Sequence, residues 1–267
     1  MNRRPAVLVI AATDSSGGAG LARDIRVLAE LGVDALCVVT AVTAQSDKAV
    51  TAVHHVPPEV IRAQIKAAFD TRALDAIKIG MLGTRATVEA VAEALSETLD
   101  ASSGRAPSQP TLRIPIIIDP VLVSSSGSVL LDESGRAALL QKLLPTATLV
   151  TPNVPEVAAL LGEAVATNEA ALLEQGRRLL DLGGRAILLK GGHSTGAEAV
   201  DLLISRGNVD RLVAPRATGS SRGTGCALAS AVAAELAGGK ALLEACTAAK
   251  RYVLSMLSRD SARSCSK

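Results

Sequence analysis

Aromatic side chains are nearly absent: Phe69 and Tyr252 are the only two in 267 residues, and there is no tryptophan. Proteins that hold single-stranded nucleic acid usually stack its bases on such rings, so that class is excluded. A strong charge of either sign is missing as well. The 28 basic and 26 acidic residues leave a net charge of +2, and no long basic run favours a nucleic acid or a membrane surface. Long apolar runs are lacking too. The stretches present are of strand length, against the roughly 20 residues of a membrane span. Arg3-Arg4 is not followed by an apolar targeting segment. The four cysteines, Cys37, Cys226, Cys246 and Cys265, lie far apart with no Cys-x-x-Cys pair. That spacing argues against a zinc site or a disulfide framework. Free thiols suit a reducing compartment, so a cytoplasmic protein without nucleic-acid or membrane partners is expected.

What the chain does have is aliphatic bulk. Residues of the hydrophobic class make up 48%, enough for one large α/β domain with a core of Ala, Val, Leu and Ile. Short β-branched runs at 7–12, 36–41, 76–79, 115–118, 148–150 and 186–189 alternate with helical patterns near 18–31, 58–69, 84–98, 134–143, 154–161 and 168–182. Ile116-Ile117-Ile118 is continuously apolar, as in a strand covered on both faces. This alternation predicts a mainly parallel sheet with helices on both sides. Residues 199–214 read as an antiparallel hairpin around Arg206-Gly207-Asn208, and two Ala/Leu-rich helices, roughly 224–237 and 240–257, close the chain. A single domain over 1–267 is expected, with a Ser/Pro/Ala-rich surface loop at 100–113 and a frayed polar tail at 259–267.

Ligands of parallel α/β sheets bind beyond the carboxyl ends of the strands, so the polar segments there are the candidates. Thr13-Asp14-Ser15-Ser16-Gly17-Gly18-Ala19-Gly20 follows the first strand. It matches neither the dinucleotide fingerprint nor the P-loop, and a plain strand-to-helix turn explains it equally well. In the next helix Asp24 falls inside the apolar stripe of Leu21, Ile25, Leu28 and Leu31. A carboxylate facing inward needs a partner, either a salt bridge or a substrate donor. Asp119-Pro120 follows the Ile116–Ile118 run, and Thr151-Pro152-Asn153-Val154-Pro155-Glu156 follows 148–150. Asn153 and Glu156 suit either Mg²⁺ binding or a helix capping box. Lys190-Gly191-Gly192-His193 offers a cation and room for a nucleotide. Arg222-Gly223-Thr224-Gly225-Cys226 opens a helix whose unpaired amides can receive a phosphoryl group. A thiol there would have a lowered pKa, although a small buried residue explains Cys226 alone.

Taken in order, these segments resemble the ribokinase-like superfamily, and more narrowly the hydroxymethylpyrimidine/phosphomethylpyrimidine kinases. Thr40-Ala41-Val42-Thr43-Ala44-Gln45 and Lys78-Ile79-Gly80-Met81-Leu82 complete the matching set. The resemblance implies a three-layer α/β/α sandwich, a homodimer, and ATP with Mg²⁺ as the phosphoryl source. It implies that Cys226 is the base and that Gly223, Thr224 and Gly225 form the anion hole. Asp24 and Gln45 would bind the aminopyrimidine edge, with Met81, Ala12 and Gly18 around the ring. Lys190, Gly192, Asn153 and Arg222 would serve the nucleotide, and Glu156 and Asp119 the metal. Three positions depart from the family pattern: Ala12 where Gly is usual, Ser125 where Lys is frequent, and Arg222 where His is commonest. The expected reaction is phosphorylation of 4-amino-5-hydroxymethyl-2-methylpyrimidine and then of its monophosphate. The alternatives are a pyridoxal or pyridoxine kinase and a pyrimidine-binding sensor without catalysis.

Overall fold

The computed structural model describes residues 3–102, 114–191, 197–216 and 222–264. Its centre is an eight-stranded sheet. In chain order the strands are β1 (Ala6–Ala11), β2 (Asp34–Val39), β5 (Ala76–Ile79), β6 (Ile116–Ile118), β7 (Leu149–Val150), β8 (Ala186–Leu189), β9 (Glu198–Ser205) and β10 (Asn208–Pro215). Their spatial order is β10-β9-β8-β7-β6-β5-β1-β2. From β2 to β8 every pairing is parallel, while β9 and β10 add an antiparallel edge.

Strand alternation explains the unbroken apolar runs. Leu8, Ile10, Ile77, Ile79, Ile116 and Ile118 face one helical layer, formed by α2 (Pro58–Thr71), α3 (Arg85–Ser102), α4 (Glu133–Ala138), α5 (Val154–Leu161) and α6 (Glu169–Asp181). Val7, Val9, Ala76, Ile117 and Leu188 face the other, formed by α1 (Gly20–Glu30), α7 (Thr224–Ala237) and α8 (Leu242–Ser264). Both faces of each central strand are thus dry, the condition for a continuously apolar strand. Small residues do what aromatics do elsewhere. Ala227, Ala229, Ala231 and Ala233 are fully buried, so α7 packs closely on the sheet.

The structure differs from the sequence reading in four places. A second, two-stranded sheet of β3 (Ala41–Gln45) and β4 (Val50–His55) follows β2, where no strand pair was expected. β4 is exposed along most of its length, so it lacks the buried alternation that reveals a strand. On α1 the buried face is Leu21, Asp24, Val27 and Leu28, and Ile25 is 42% exposed. α3 continues to Ser102, into the expected loop at 100–113, the rest of which lies outside the described residues. α8 likewise runs on to Ser264, past the expected fraying point at 259. Gly192, His193 and Cys265 lie outside the described residues.

Candidate active site

One cleft of about 960 Å³ runs along the carboxyl ends of the parallel strands. Its first end is a small apolar box. Ala12, Ala41, Met81 and Leu130 pack together with Val121 against it, and Thr13 and Gln45 supply polar edges. The middle is lined by Asp119, Asn153, Glu156, Lys190 and Gly223 to Cys226. The far end is apolar again, with Ala214, Pro215, Val253, Leu254 and Leu257 around Asp201 and Lys250.

Local sequence builds the middle. Gly223 is the N-cap of α7 with φ 72°, and among the described residues no side chain caps the helix. A Cβ at Gly223 would strike the carbonyl of Gly18, so only glycine allows this close crossing of two loops. The first-turn amides of α7 therefore open onto the cleft with the helix dipole behind them. A Cβ at Gly225 would stand 3.1 Å from Lys190 Nζ and 3.5 Å from Asp119 Oδ2, which shows how tightly helix, lysine and carboxylate converge.

Lys190 is the hub of that convergence. Its Nζ donates to Asp119 Oδ1 at 2.8 Å and lies 3.7 Å from Glu156 Oε2. Burial alone would lower its pKa, but Asp119 and Glu156 outweigh this and hold the ammonium form. Burial would likewise raise Asp119, yet Lys190 and Lys78, with the hydrogen bonds from Lys190 and Thr151, keep its carboxyl below the ordinary range. Burial pushes Glu156 up, and Lys190 offsets only part of that. Among the described residues no hydrogen bond engages Asp119 Oδ2 or Glu156 Oε1, so each carboxylate keeps one oxygen for a cation. Two carboxylates with hard oxygen donors fit Mg²⁺, which takes few protein ligands and completes its shell with water and phosphate.

Several expected site residues sit at the cleft: Ala12, Gln45, Met81, Asp119, Asn153, Glu156, Lys190, Arg222 and 223–226 all line it. Asn153 is also the N-cap of α5, and with Glu156 it forms the capping box that the sequence offered as the plain alternative. The box uses only Oε2 of Glu156 and leaves Oε1 outside it. Four expectations are corrected. Asp24 does not line the cleft. It is fully buried, with Oδ2 on Lys78 Nζ and Oδ1 on Ser230 Oγ, both at 2.8 Å, so the salt-bridge reading holds. Gly18 is set back beneath Ser16 and Arg222 rather than lining the cleft. Arg222 is not a free cation: Asp14 and Asp47 both pair with it. Burial raises the Cys226 thiol to about 11, against the lowering by Lys78 and by the Gly20 amide.

Sequence reasoning placed Lys78 in a matching segment without giving it a role, and missed Ser230 and the Asp201–Lys250 pair, whose Nζ to Oδ2 distance is 2.7 Å. The signal for Lys78 was present: a lysine inside an otherwise apolar strand and an aspartate inside an apolar helix stripe call for each other.

A cleft of this form, at a parallel sheet edge and ending on an uncapped helix, belongs to the ribokinase-like class of small-molecule kinases. The phosphomethylpyrimidine kinase family profile matches residues 14–264. The hydroxymethylpyrimidine/phosphomethylpyrimidine kinase of Rhizobium meliloti is 41% identical over 252 residues, covering 94% of this chain and 90% of that one. The Escherichia coli enzyme of the same name is 40% identical over 233 residues, covering 87% and 83%. Among solved structures, phosphomethylpyrimidine kinase from Clostridium difficile aligns with a TM-score of 0.79 at 32% identity, covering 95% of this chain and 100% of that one. Pyridoxal kinase from Bacillus subtilis, solved as an ADP complex, aligns at 0.81 and 29%, covering 93% and 90%. The chain belongs to the phosphomethylpyrimidine kinase family.

Proposed function

We propose that this chain transfers the γ-phosphoryl group of ATP to the hydroxymethyl oxygen of 4-amino-5-hydroxymethyl-2-methylpyrimidine, and then phosphorylates the resulting monophosphate. The observation that carries this reading is the convergence of Lys190, Asp119, Glu156 and the open start of α7 in one cleft whose adjoining end is a small apolar box. The box suits a flat ring, with Met81 against its face and Gln45 at its edge. The first-turn amides of α7 and the Lys190 ammonium receive negative charge on the transferring group, the main demand of phosphoryl transfer. Asp119 and Glu156 would hold Mg²⁺ by their unengaged oxygens, and the bound ion would neutralise phosphate charge. As the hydroxyl oxygen forms its bond to phosphorus and the bond to the departing ADP breaks, the Cys226 thiolate takes the hydroxyl proton. The apolar far end, with Val253, Leu254 and Leu257, suits a nucleobase.

A second reading, a pyridoxal kinase, is supported by the structural likeness to proteins of that name at TM-scores of 0.81. ADP release measured with the pyrimidine alcohol, its monophosphate and pyridoxal separates the two. Turnover of pyridoxal alone would overturn the leading reading. The homodimer is proposed as well, supported by the exposed outer face of the β3–β4 hairpin around Val42. Sedimentation analysis showing only monomer would refute it. Among the described residues no helix is long and apolar enough to cross a membrane. A cytoplasmic site of action is supported by the free thiols of Cys37, Cys226 and Cys246.

A further inference from the structure

Arg222 immediately precedes the N-cap of α7, where the resemblance led us to expect a phosphate ligand. Its side chain does something else. Nη2 donates to Asp14 Oδ2 at 3.2 Å. Nη1 donates to Asp47 Oδ1 and to the Ser46 carbonyl, both at 2.9 Å, and to Ser16 Oγ at 3.0 Å. Nε donates to Ser125 Oγ at 3.4 Å. All three nitrogens are engaged by segments far apart in sequence, and the side chain is only 17% exposed.

The charge balance follows. One guanidinium meets two carboxylates, so little of its field remains for a phosphate. Asp14 has almost no exposed side-chain surface, and among the described residues pulling Arg222 away would leave its side chain with only the Ser16 amide and hydroxyl. Stranding a buried carboxylate in this way is costly. The Asp47 arm matters less, since Asp47 is 84% exposed. The Ser46 arm matters more, because Ser46 directly follows Gln45. The backbone of Gln45 is held in turn: its N–H donates to Ser15 Oγ at 2.8 Å, and Ser15 Oγ donates back to its main-chain carbonyl at 2.7 Å. Arg222 thus ties the turn after β3 to the loop after β1, directly beyond Gln45.

We propose that Arg222 is a positioning residue for the ring end of the cleft: it pins the β3–β4 hairpin so that Gln45 meets a flat heteroaromatic alcohol, and it does not bind the nucleotide. The identity of that alcohol rests on the function proposed above, but the pinning does not.

The test combines Arg222→Ala, Arg222→Lys and the charge-free double variant Asp14→Asn/Arg222→Met with hydrogen exchange of the amides of 41–55 and with steady-state kinetics. The double variant leaves no unpaired buried charge and serves if Arg222→Ala does not fold. The expected result is faster exchange across 41–55 with α7 and β6 unchanged. The KM for the ring alcohol should rise about tenfold or more, as for loss of a charge-assisted contact, while the KM for ATP stays within about twofold. Arg222→Lys should recover part of both effects through Asp14. A raised KM for ATP with hairpin exchange unchanged would overturn the proposal. If the wild-type protein turned over no ring alcohol, the proposed function would fall, and exchange across 41–55 would still decide whether Arg222 pins the hairpin.

Discussion

Lys78 Nζ lies 2.8 Å from Asp24 Oδ2, and neither side chain has any exposed surface. Strand alternation points Lys78 toward the α1/α7 layer, the opposite side from its neighbours Ile77 and Ile79. Burial alone would lower the Lys78 pKa, but Asp24, Cys226 and Asp119 outweigh it and keep the ammonium. A buried pair of this kind need not stabilise the fold relative to apolar residues, but breaking it leaves one charge stranded. We therefore expect Lys78→Met alone to cost about 3–5 kcal/mol. Asp24→Leu/Lys78→Met together should cost clearly less. Urea unfolding of both variants checks this; a double variant no more stable than Lys78→Met would show that the stranded Asp24 charge is not what makes the single change costly.

Two thiols and the tyrosine hydroxyl are among the groups pushed upward in the folded chain. Burial raises the thiols of Cys226 to about 11 and Cys246 to about 12, and burial with Glu30 raises the Tyr252 hydroxyl to about 12. Each holds its proton more tightly folded than unfolded. Their contribution is therefore complete below the unfolded values of 9.0 and 10.0 and is lost as pH rises toward the folded ones. The melting temperature should fall progressively from about pH 9 to 11, and Cys246→Ala, which removes a group with no exposed surface, should flatten that fall. A melting temperature independent of pH across this window would contradict the burial of these groups.

The sheet and its helices were legible because their signals are local: β5 and β8 have the bounds expected from their apolar runs, and α5 starts where Asn153 and Glu156 announce a cap. The order of the cleft segments was legible for the same reason. The β3–β4 hairpin was not, because the alternating β3 buries the small or polar Ala41 and Thr43 and exposes Val42, and β4 is exposed along most of its length. Nor were the partners of charged residues. Whether Asp24 meets Lys78 or a ligand, and whether Arg222 faces a phosphate or Asp14, depends on contacts between positions 54 and 208 residues apart. Spacing along the chain carries no information about such pairs.

The cluster at Lys190 separates charge from positioning. Lys190→Ala removes the ammonium between Asp119 and Glu156 and should lower kcat by about 10²-fold or more, the scale for loss of one group aimed at developing charge. Glu156→Gln keeps the shape of the capping box but removes a charge, so it should raise the Mg²⁺ concentration giving half-maximal rate while leaving α5 intact by circular dichroism. An unchanged Mg²⁺ dependence would remove Glu156 from the metal site.

Cys226 poses the sharpest kinetic question, because a base is most effective when its pKa lies near the working pH, and burial puts this thiol at about 11. Only a small thiolate fraction exists near neutrality. If that fraction takes the proton, kcat should rise about tenfold per pH unit from roughly pH 6 to 9, because the deprotonated form is the active one. Cys226→Asp supplies a carboxylate already charged at neutrality and should flatten the profile, whereas Cys226→Ala should lower kcat by about 10²-fold or more. Alkylation mapped by peptide should label exposed Cys37 ahead of Cys226 at pH 7.5, since iodoacetamide reads access as well as thiolate content. A wild-type kcat that is flat in pH, together with an Ala variant of unchanged kcat, would show that the thiol takes no proton. Phosphoryl transfer would then depend on Lys190 and the α7 amides alone.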